Sequence, residues 1–175
     1  MAPSEQNAEL DAGEREAMAR LNGLRTRDSG AAQTGDEAAG LGAASLEAAS
    51  LEAHFAERWN ADRRLAVYGT LAPGEPNHHH LSELPGHWRP GTVTGELTRI
   101  GWGADLGYPA LRWCEDAGEV AAQLFASEAL PAHWARLDEF EGGQYLRILV
   151  PVRMADGTLE VANLYAAHPD APQAG

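Results

Sequence analysis

The chain has 175 residues, of which 13 are arginine, none is lysine and 26 are acidic, so its formal net charge at pH 7 is −13. This charge argues against nucleic acid and anionic membrane surfaces as partners, because binding to either depends on basic patches that neutralise phosphate groups. The only cysteine, Cys114, cannot form an internal disulfide, and we find neither a signal-peptide pattern nor an apolar run of roughly 18 residues, so we expect a cytoplasmic protein.

Residues 1–63 are rich in alanine, glycine and glutamate and contain neither valine nor isoleucine. Such a segment has little apolar area to offset the entropy lost on ordering, so we predict a partly helical, partly disordered extension. Ala8 to Leu24 and Ser45 to Asn60 have apolar residues at loose helical spacing. The glycine-rich stretch between them, Thr26 to Ala44, predicts a flexible linker.

Residues 64–167 are predicted to form one domain, followed by a short tail over residues 168–175. Apolar runs and alternating patterns predict six strands: Leu65–Tyr68, Thr92–Ile100, Ala110–Cys114, Glu119–Phe125, Tyr145–Met154 and Leu159–Ala166. Asp156-Gly157 is a hairpin turn signal between the last two strands. Helices are predicted at Pro131–Phe140 and around Asn77–Leu84. These elements indicate an α+β fold, with a small, mostly antiparallel, six-stranded barrel and helices packed outside.

A possible binding loop follows the first predicted strand, at Tyr68-Gly69-Thr70-Leu71. Glycine at the end of a buried strand lets the backbone turn and lets a ligand approach closely. Successive backbone N–H groups in such a turn can bind an anion, and the Thr70 hydroxyl can add a donor. The alternative is a plain turn that ends the strand.

A possible acid/base group lies at the end of the helix predicted over Pro131–Phe140. Trp134, Leu137 and Glu141 are spaced i, i+3 and i+7 and share the apolar face, whereas Asp138 and Glu139 are predicted to point elsewhere. Desolvation on that face would raise the pKa of the Glu141 carboxyl and suit it to general acid/base catalysis near neutrality. The alternative is that the helix ends at Phe140 and that Glu141 is solvated.

Tyr145 and Arg147 share one face of the next predicted strand. Arg147 could pair with Glu141 or with a substrate carboxylate, or be an ordinary surface arginine. Cys114 is interpreted as a core residue rather than a nucleophile, because it lies inside a predicted strand.

Three adjacent histidines, His78 to His80, follow Asn77. Adjacent side chains on a helix or a strand point in different directions, so the three histidines are poor joint ligands for one metal ion. We interpret Asn77 as a helix cap and the histidines as mostly solvated, although His78 or His79 could line a pocket.

The order and spacing of these segments resemble the γ-glutamylcyclotransferase-like superfamily, most of all its branch of AIG2-like proteins and γ-glutamylamine cyclotransferases. The resemblance covers roughly residues 64–167. It rests on Tyr68-Gly69-Thr70-Leu71, on Gly74, Pro76, Asn77 and His78, on Tyr108-Pro109-Ala110-Leu111, on Leu137-Asp138-Glu139-Phe140-Glu141-Gly142, and on Tyr145, Arg147, Ala162 and Tyr165.

The resemblance implies an enzyme that releases 5-oxoproline from a γ-glutamyl amine or small γ-glutamyl peptide, without a metal or an organic cofactor. Glu141 would be the acid/base, and we count Arg147 among the substrate-binding residues because of its place on the strand, not because of the resemblance. The family's loop, which binds one end of the substrate through backbone N–H groups, corresponds to Tyr68, Gly69, Thr70 and Leu71, and the aromatic positions that line the cavity correspond to Tyr145 and Tyr165.

The chain departs from the family at one strand, where many members have Gly-Glu and this sequence has Ala122-Gln123. The bulk of Ala122 predicts a narrower cavity. A different class of function stays open, because the same fold could bind a small acidic metabolite without converting it. An interaction role for the N-terminal region is a further alternative.

Overall fold

The computed structural model describes residues 9–34, 41–69, 71–100, 108–142 and 144–169. The helices are α1 (Ala12–Thr34), α2 (Leu41–Trp59), α3 (His79–Ser82) and α4 (Trp134–Glu141). The strands are β1 (Arg64–Val67), β2 (His87–Ile100), β3 (Tyr108–Trp113), β4 (Glu119–Ala126), β5 (Tyr145–Met154) and β6 (Leu159–Ala167). Short 3-10 turns precede β1 and α4, at Ala61–Arg63 and Leu130–Ala132.

Five strands close into a barrel in the order β1-β4-β2-β3-β6, and a parallel contact between Leu65 and Asn163 joins β6 back to β1. The sixth strand, β5, runs antiparallel to β6 over nine residue pairs and meets β2 at two further pairs. The other neighbours are antiparallel except β3 and β6, which meet at Leu111 and Ala166. The prediction of an α+β fold with a small, mostly antiparallel barrel and packed helices is confirmed, and the six predicted strands form a closed five-stranded barrel plus one further strand.

Strand β2 begins at His87, five residues before its predicted start at Thr92, and it continues through Pro90 and Gly91. Its first half pairs with β4 and its second half with β3. A Cβ added at Gly91 would lie 3.0 Å from the Arg153 carbonyl oxygen, so glycine allows β5 to cross β2 closely at this point. The sequence gives no strand signal here because proline and glycine are rare in strands.

The barrel interior is apolar and contains residues from every strand, including Ala66, Val93, Leu124 and Val150. Two further apolar clusters lie between the barrel and the helices. The first, which we call the α1–α2 cluster, contains Leu10, Met18, Leu21, Phe55, Trp59, Ala61, Leu149, Leu159 and Val161. The second, the α3–α4 cluster, contains Leu65, Val67, Leu71, Leu81, Phe125, Leu130, Trp134, Leu137 and Tyr165.

Both helices predicted in the N-terminal region are present, and both pack against β5 and β6. The linker predicted over Thr26–Ala44 is wrong within the described residues, since α1 continues to Thr34 and α2 already begins at Leu41. Residues 35–40 lie outside the described part. A helix already nucleated by packed side chains extends at little cost through residues that include only one glycine, Gly30. None of the described helices is long and apolar enough to cross a bilayer.

Two smaller predictions are also corrected. Cys114 is exposed and follows the last residue of β3, so it is not a core residue. The residue that flanks the start of α3 is His78 rather than Asn77, and hydrogen bonds from the Glu75 N–H to the Ala72 carbonyl oxygen and from the His78 N–H to the Glu75 carbonyl oxygen form turns before the helix begins.

Candidate active site

Helix α4 carries Glu141 on its last turn. Trp134 and Leu137 are buried in the α3–α4 cluster, and Glu141, four residues after Leu137, is half-buried. The helix ends immediately afterwards because Gly142 has a φ of 75°, a conformation that favours glycine. The alternative in which the helix stops at Phe140 and leaves Glu141 solvated does not apply.

The Glu141 carboxyl has an unusual affinity for its proton. Burial raises its pKa from an ordinary value of 4.5 to about 7, and the nearby negative charge of Asp138 acts in the same direction. A carboxyl with this pKa is present in both protonation states near neutral pH. It can therefore accept a proton in one step and donate it in the next.

Asp138 is a site residue that the sequence reasoning missed. Its Oδ1 accepts a 2.6 Å hydrogen bond from the Tyr165 hydroxyl and a 2.9 Å hydrogen bond from Arg147 Nε. The signal was present in the sequence, because Asp138 lies four residues after Trp134 and three before Glu141, which places it next to both on a helix. The helical spacing alone predicted that Asp138 points away from the face of Trp134, Leu137 and Glu141, and it gave no indication of the contacts with Tyr165 and Arg147.

Arg147 is paired with Asp138 through two hydrogen bonds. Its Nη2 donates to Asp138 Oδ2 at 3.3 Å, in addition to the Nε bond, and its Nη1 donates to Asn163 Oδ1 at 3.1 Å. The guanidinium carbon lies 4.5 Å from the centre of the Trp134 ring. A guanidinium held by a carboxylate fork and an aromatic face has a well-defined position. Its role in binding substrate stays a prediction.

Tyr165 is buried and Tyr68 is half-buried, and both hydroxyls form hydrogen bonds inside the protein. The Tyr68 hydroxyl donates to the Tyr165 carbonyl oxygen at 2.6 Å and accepts from the Leu111 N–H at 2.9 Å. It thereby bridges β6 and β3, which share only one register pair. Burial raises the pKa of both phenols, and the charge of Glu141 contributes to both shifts, so Glu141 is electrostatically coupled to the two tyrosines.

The predicted binding loop turns immediately after β1, where the Ala72 N–H donates to the Gly69 carbonyl oxygen at 3.1 Å. A methyl group placed on Gly69 would meet no atom within 4 Å, so open space adjoins this residue. A cleft of about 510 Å³ lies there, lined by Val67, Tyr68, Gly69, Ala72, Glu75, Pro90, Gly91, Ala121, Ala122 and Gln123. The Ala122-Gln123 segment, at which the chain departs from the family pattern, thus borders the same cleft as Tyr68 and Gly69.

The remaining loop residues differ in position. The Leu71 side chain is buried in the α3–α4 cluster, so only its backbone could contact a ligand. His78 Nδ1 donates to the Leu71 carbonyl oxygen at 3.0 Å, and the His78 ring lies against Trp88, which fixes the end of the loop. Thr70 lies outside the described residues.

Tyr145 begins β5, and its backbone N–H donates to the Gly142 carbonyl oxygen at 3.3 Å. Its half-buried side chain packs against Ala110 and Ala167 and against the α3–α4 cluster. Tyr145 thus lies directly after the turn that follows Glu141. Among the described residues, no three histidine, cysteine or acidic side chains are grouped so that they could bind a metal ion.

Comparison with protein families gives a match over the second part of the chain. The family described as "Gamma-glutamyl cyclotransferase, AIG2-like" matches residues 65–175. The match begins one residue inside β1 and therefore excludes α1 and α2. No curated protein matches the chain in a sequence comparison.

Comparison with solved structures gives the same fold at low sequence identity. An AIG2-like protein from Mus musculus has a TM-score of 0.50 and 22% identity, and the match covers 63% of this chain and 80% of the mouse chain. A structure described as gamma-glutamyl cyclotransferase has a TM-score of 0.52 and 16% identity, over 63% of this chain and 68% of that one. YkqA from Bacillus subtilis has a TM-score of 0.48 and 24% identity, and the match spans only 37% of its length.

Proposed function

Since the chain belongs to the gamma-glutamyl cyclotransferase, AIG2-like family, we propose that it releases 5-oxoproline from a γ-glutamyl amine or a small γ-glutamyl peptide. The observation that carries this proposal is the half-buried Glu141 carboxyl, whose pKa is raised to about 7. The family gives a cyclotransferase type of function. The substrate, the product and the residue roles are our inference.

The proposed reaction needs one group that both takes and returns a proton. The substrate's α-amine is mostly protonated at neutral pH, so the Glu141 carboxylate first accepts a proton from it. The free amine nitrogen then attacks the γ-carbonyl carbon, and a five-membered lactam forms. As the original amide C–N bond breaks, the Glu141 carboxyl donates its proton to the leaving nitrogen. The attacking nitrogen loses a second proton to water as it becomes the lactam N–H, and the released amine takes up a proton from water. The products are therefore 5-oxoproline and a protonated amine, and no proton is gained or lost overall.

The protein would also hold the substrate in a folded conformation in which the amine lies against its own carbonyl, which is a proximity effect. We assign this task to the backbone of Gly69, Thr70 and Leu71, beside the open cleft at Gly69. Tyr68, Tyr145 and Tyr165 would form the walls. The positive charge of Arg147 would attract the substrate's α-carboxylate while its fork holds Asp138.

The test is a panel of γ-glutamyl amines and small γ-glutamyl peptides, with release of 5-oxoproline measured by mass spectrometry. We expect turnover of at least one compound by the unmodified chain and a fall of about 10²- to 10⁴-fold in Glu141→Gln, the usual contribution of general acid/base catalysis. The matched control is Glu139→Gln, which removes an exposed carboxyl from the same helix and should leave the rate unchanged.

Full turnover in Glu141→Gln would remove the mechanism. Thermal stabilisation by these compounds without any product would instead support the alternative, a binding module on the same fold. In that case the bound compound would be recovered unchanged after long incubation.

A further inference from the structure

Arg25 lies on α1, outside the region that matches the family, yet it contacts the barrel next to the candidate site. Its side chain is only 12% exposed. On one side, its Nε and Nη2 each donate to a carboxylate oxygen of Glu52 on α2 at 2.7 Å. On the other, its Nη1 donates to the Arg147 carbonyl oxygen at 3.2 Å and to Asn163 Oδ1 at 2.9 Å.

Asn163 connects Arg25 to Arg147. It is 1% exposed, and its Nδ2 donates to the Ala61 carbonyl oxygen at 2.8 Å, which orients the amide. Its Oδ1 therefore faces both guanidinium groups and accepts one hydrogen bond from each. A buried amide whose donor and acceptor are both satisfied has one stable orientation, and loss of a partner leaves that orientation less well defined.

The connection ends at the candidate site. Arg147 holds the Asp138 carboxylate in a fork, and Asp138 accepts the Tyr165 hydroxyl and raises the pKa of Glu141. Asp138 is accessible to solvent on its outer side, so packing alone does not fix it. Its position depends on its hydrogen bonds with Tyr165 and Arg147, and Arg147 is in turn held at its backbone carbonyl and through Asn163.

We propose that Arg25 is a positioning residue of the candidate active site, which holds Arg147 against Asp138 and Trp134 from the N-terminal helix. The link to catalysis rests on the proposed function, whereas the positioning of Arg147 does not. The inference gives the N-terminal region a defined task, since α1 supplies a contact that the family-matched residues lack.

Loss of Arg25 should change the pKa of Glu141, because it alters the charge of Asp138 that acts on this carboxyl. A less firmly held Arg147 neutralises the Asp138 carboxylate less completely, so more negative charge acts on Glu141 and its pKa rises further. The titratable groups coupled to Glu141 are Asp138 on α4, Tyr68 after β1 and Tyr165 on β6. The two phenols stay neutral across the relevant pH range, so Asp138 is the group that transmits the effect.

The chain offers a matched control. Arg20 and Glu47 also join α1 to α2 through two hydrogen bonds, of 2.8 and 2.9 Å, and are separated by the same 27 residues as Arg25 and Glu52. None of the hydrogen bonds or ion pairs described for Arg20 reaches the barrel. Arg25→Met and Arg20→Met thus remove equivalent bridges between the helices, but only Arg25→Met removes the contact with Asn163 and Arg147.

The experiment compares the full-length chain and both variants by NMR. The two readouts are the Arg147 side-chain Nε–H signal and the pKa of the Glu141 carboxyl, assigned by its absence in Glu141→Gln. In Arg25→Met we expect the Nε–H signal to broaden or exchange with solvent and the Glu141 pKa to rise by about half a unit, less than direct loss of a charge partner would give. Arg20→Met should change neither.

If either readout in Arg25→Met matches Arg20→Met, the proposal is overturned. Should Arg25→Met not fold, Glu52→Gln loosens the same arginine and should give the same changes at a smaller size, and unchanged readouts there are equally decisive. For an active chain, the acid limb of the kcat/KM profile should move to higher pH in Arg25→Met. Because the NMR readouts need no substrate, an inactive chain would count against the proposed function and not against the positioning of Arg147.

Discussion

Two pairs of helices cover different parts of one barrel, and their polar side chains differ in environment. Beside the α1–α2 cluster, Asn22 and Arg25 of α1 form hydrogen bonds with the barrel backbone, and Arg25 also donates to Asn163. In the α3–α4 cluster, α4 ends with Glu141, a half-buried carboxyl whose pKa is raised. The same packing of leucine against strands therefore accompanies hydrogen-bonded polar side chains on one side and a carboxyl with a raised pKa on the other.

Two equivalent core truncations, Leu21→Ala on α1 and Leu137→Ala on α4, test whether the two clusters differ in function. Both leucines are 0% exposed, so each change should lower the free energy of unfolding by about 2–5 kcal/mol. Only Leu137→Ala removes apolar contacts one turn from Glu141. We expect it to admit water and lower the Glu141 pKa toward 4.5, and to reduce turnover by the folded protein, whereas Leu21→Ala leaves both unchanged.

Denaturant titration gives the stability, and turnover normalised to the folded fraction gives the activity. Equal loss of normalised turnover in both variants would show that the two clusters are not functionally distinct. Unchanged normalised turnover in both variants would show that the packing of Leu137 beneath Glu141 does not affect the activity of this carboxyl.

A second prediction concerns the pH dependence of stability. Folded Glu141 holds its proton up to about pH 7, whereas the unfolded chain releases it near 4.5. Between these values the folded state binds more protons, so unfolding becomes easier as pH rises. Glu141→Gln lacks this effect. The difference between its free energy of unfolding and that of the unmodified chain should therefore shift in favour of the variant as pH rises from 4.5 to 7, by at most about 3 kcal/mol.

Urea titrations at several pH values from 4 to 8 measure this difference, and Glu139→Gln is the control. A difference that stays constant across the range would mean that Glu141 titrates alike in the folded and unfolded chains.

A third prediction concerns the contact of α1 with the barrel. Asn22 Oδ1 accepts the Leu149 N–H at 2.8 Å, and Asn22 Nδ2 donates to the Leu149 carbonyl oxygen at 2.9 Å, as a neighbouring strand would. Asn22→Ala leaves both backbone groups of the buried Leu149 without these partners, which should cost about 1–3 kcal/mol.

Glu16→Ala, an exposed change on the same helix, should stay within about 0.5 kcal/mol. Hydrogen exchange at the Leu149 amide gives a local readout, since it should accelerate in Asn22→Ala alone. Unchanged protection would mean that the strand edge does not depend on α1.

The sequence predicted the strands well because their signals are local. Alternation and turn residues define β5, β6 and the turn at Asp156-Gly157 within a few positions. It failed where structure depends on distant partners. The start of β2 is fixed by pairing with β4 despite Pro90 and Gly91, and the continuation of α1 through Thr34 follows from a packed helix rather than from its glycine content.

The candidate site shows the same division. The helical spacing of Trp134, Leu137 and Glu141 predicted a carboxyl on an apolar face, and the burial of Glu141 agrees with it. The partners of Arg147 were not predictable, because Asp138 and Asn163 belong to α4 and β6 and meet it only after folding. The contribution of Arg25 depends on contacts separated by more than 100 residues, for which no local pattern exists.

Folding raises the pKa of the Glu141 carboxyl, so that this group exchanges a proton near neutral pH. The most direct measurement is a carboxyl ¹³C NMR titration of the full chain, with the Glu141 signal identified by comparison with Glu141→Gln. The structure predicts a midpoint at about pH 7. A midpoint near the ordinary value of 4.5 would contradict it and leave the proposed reaction without its acid/base group.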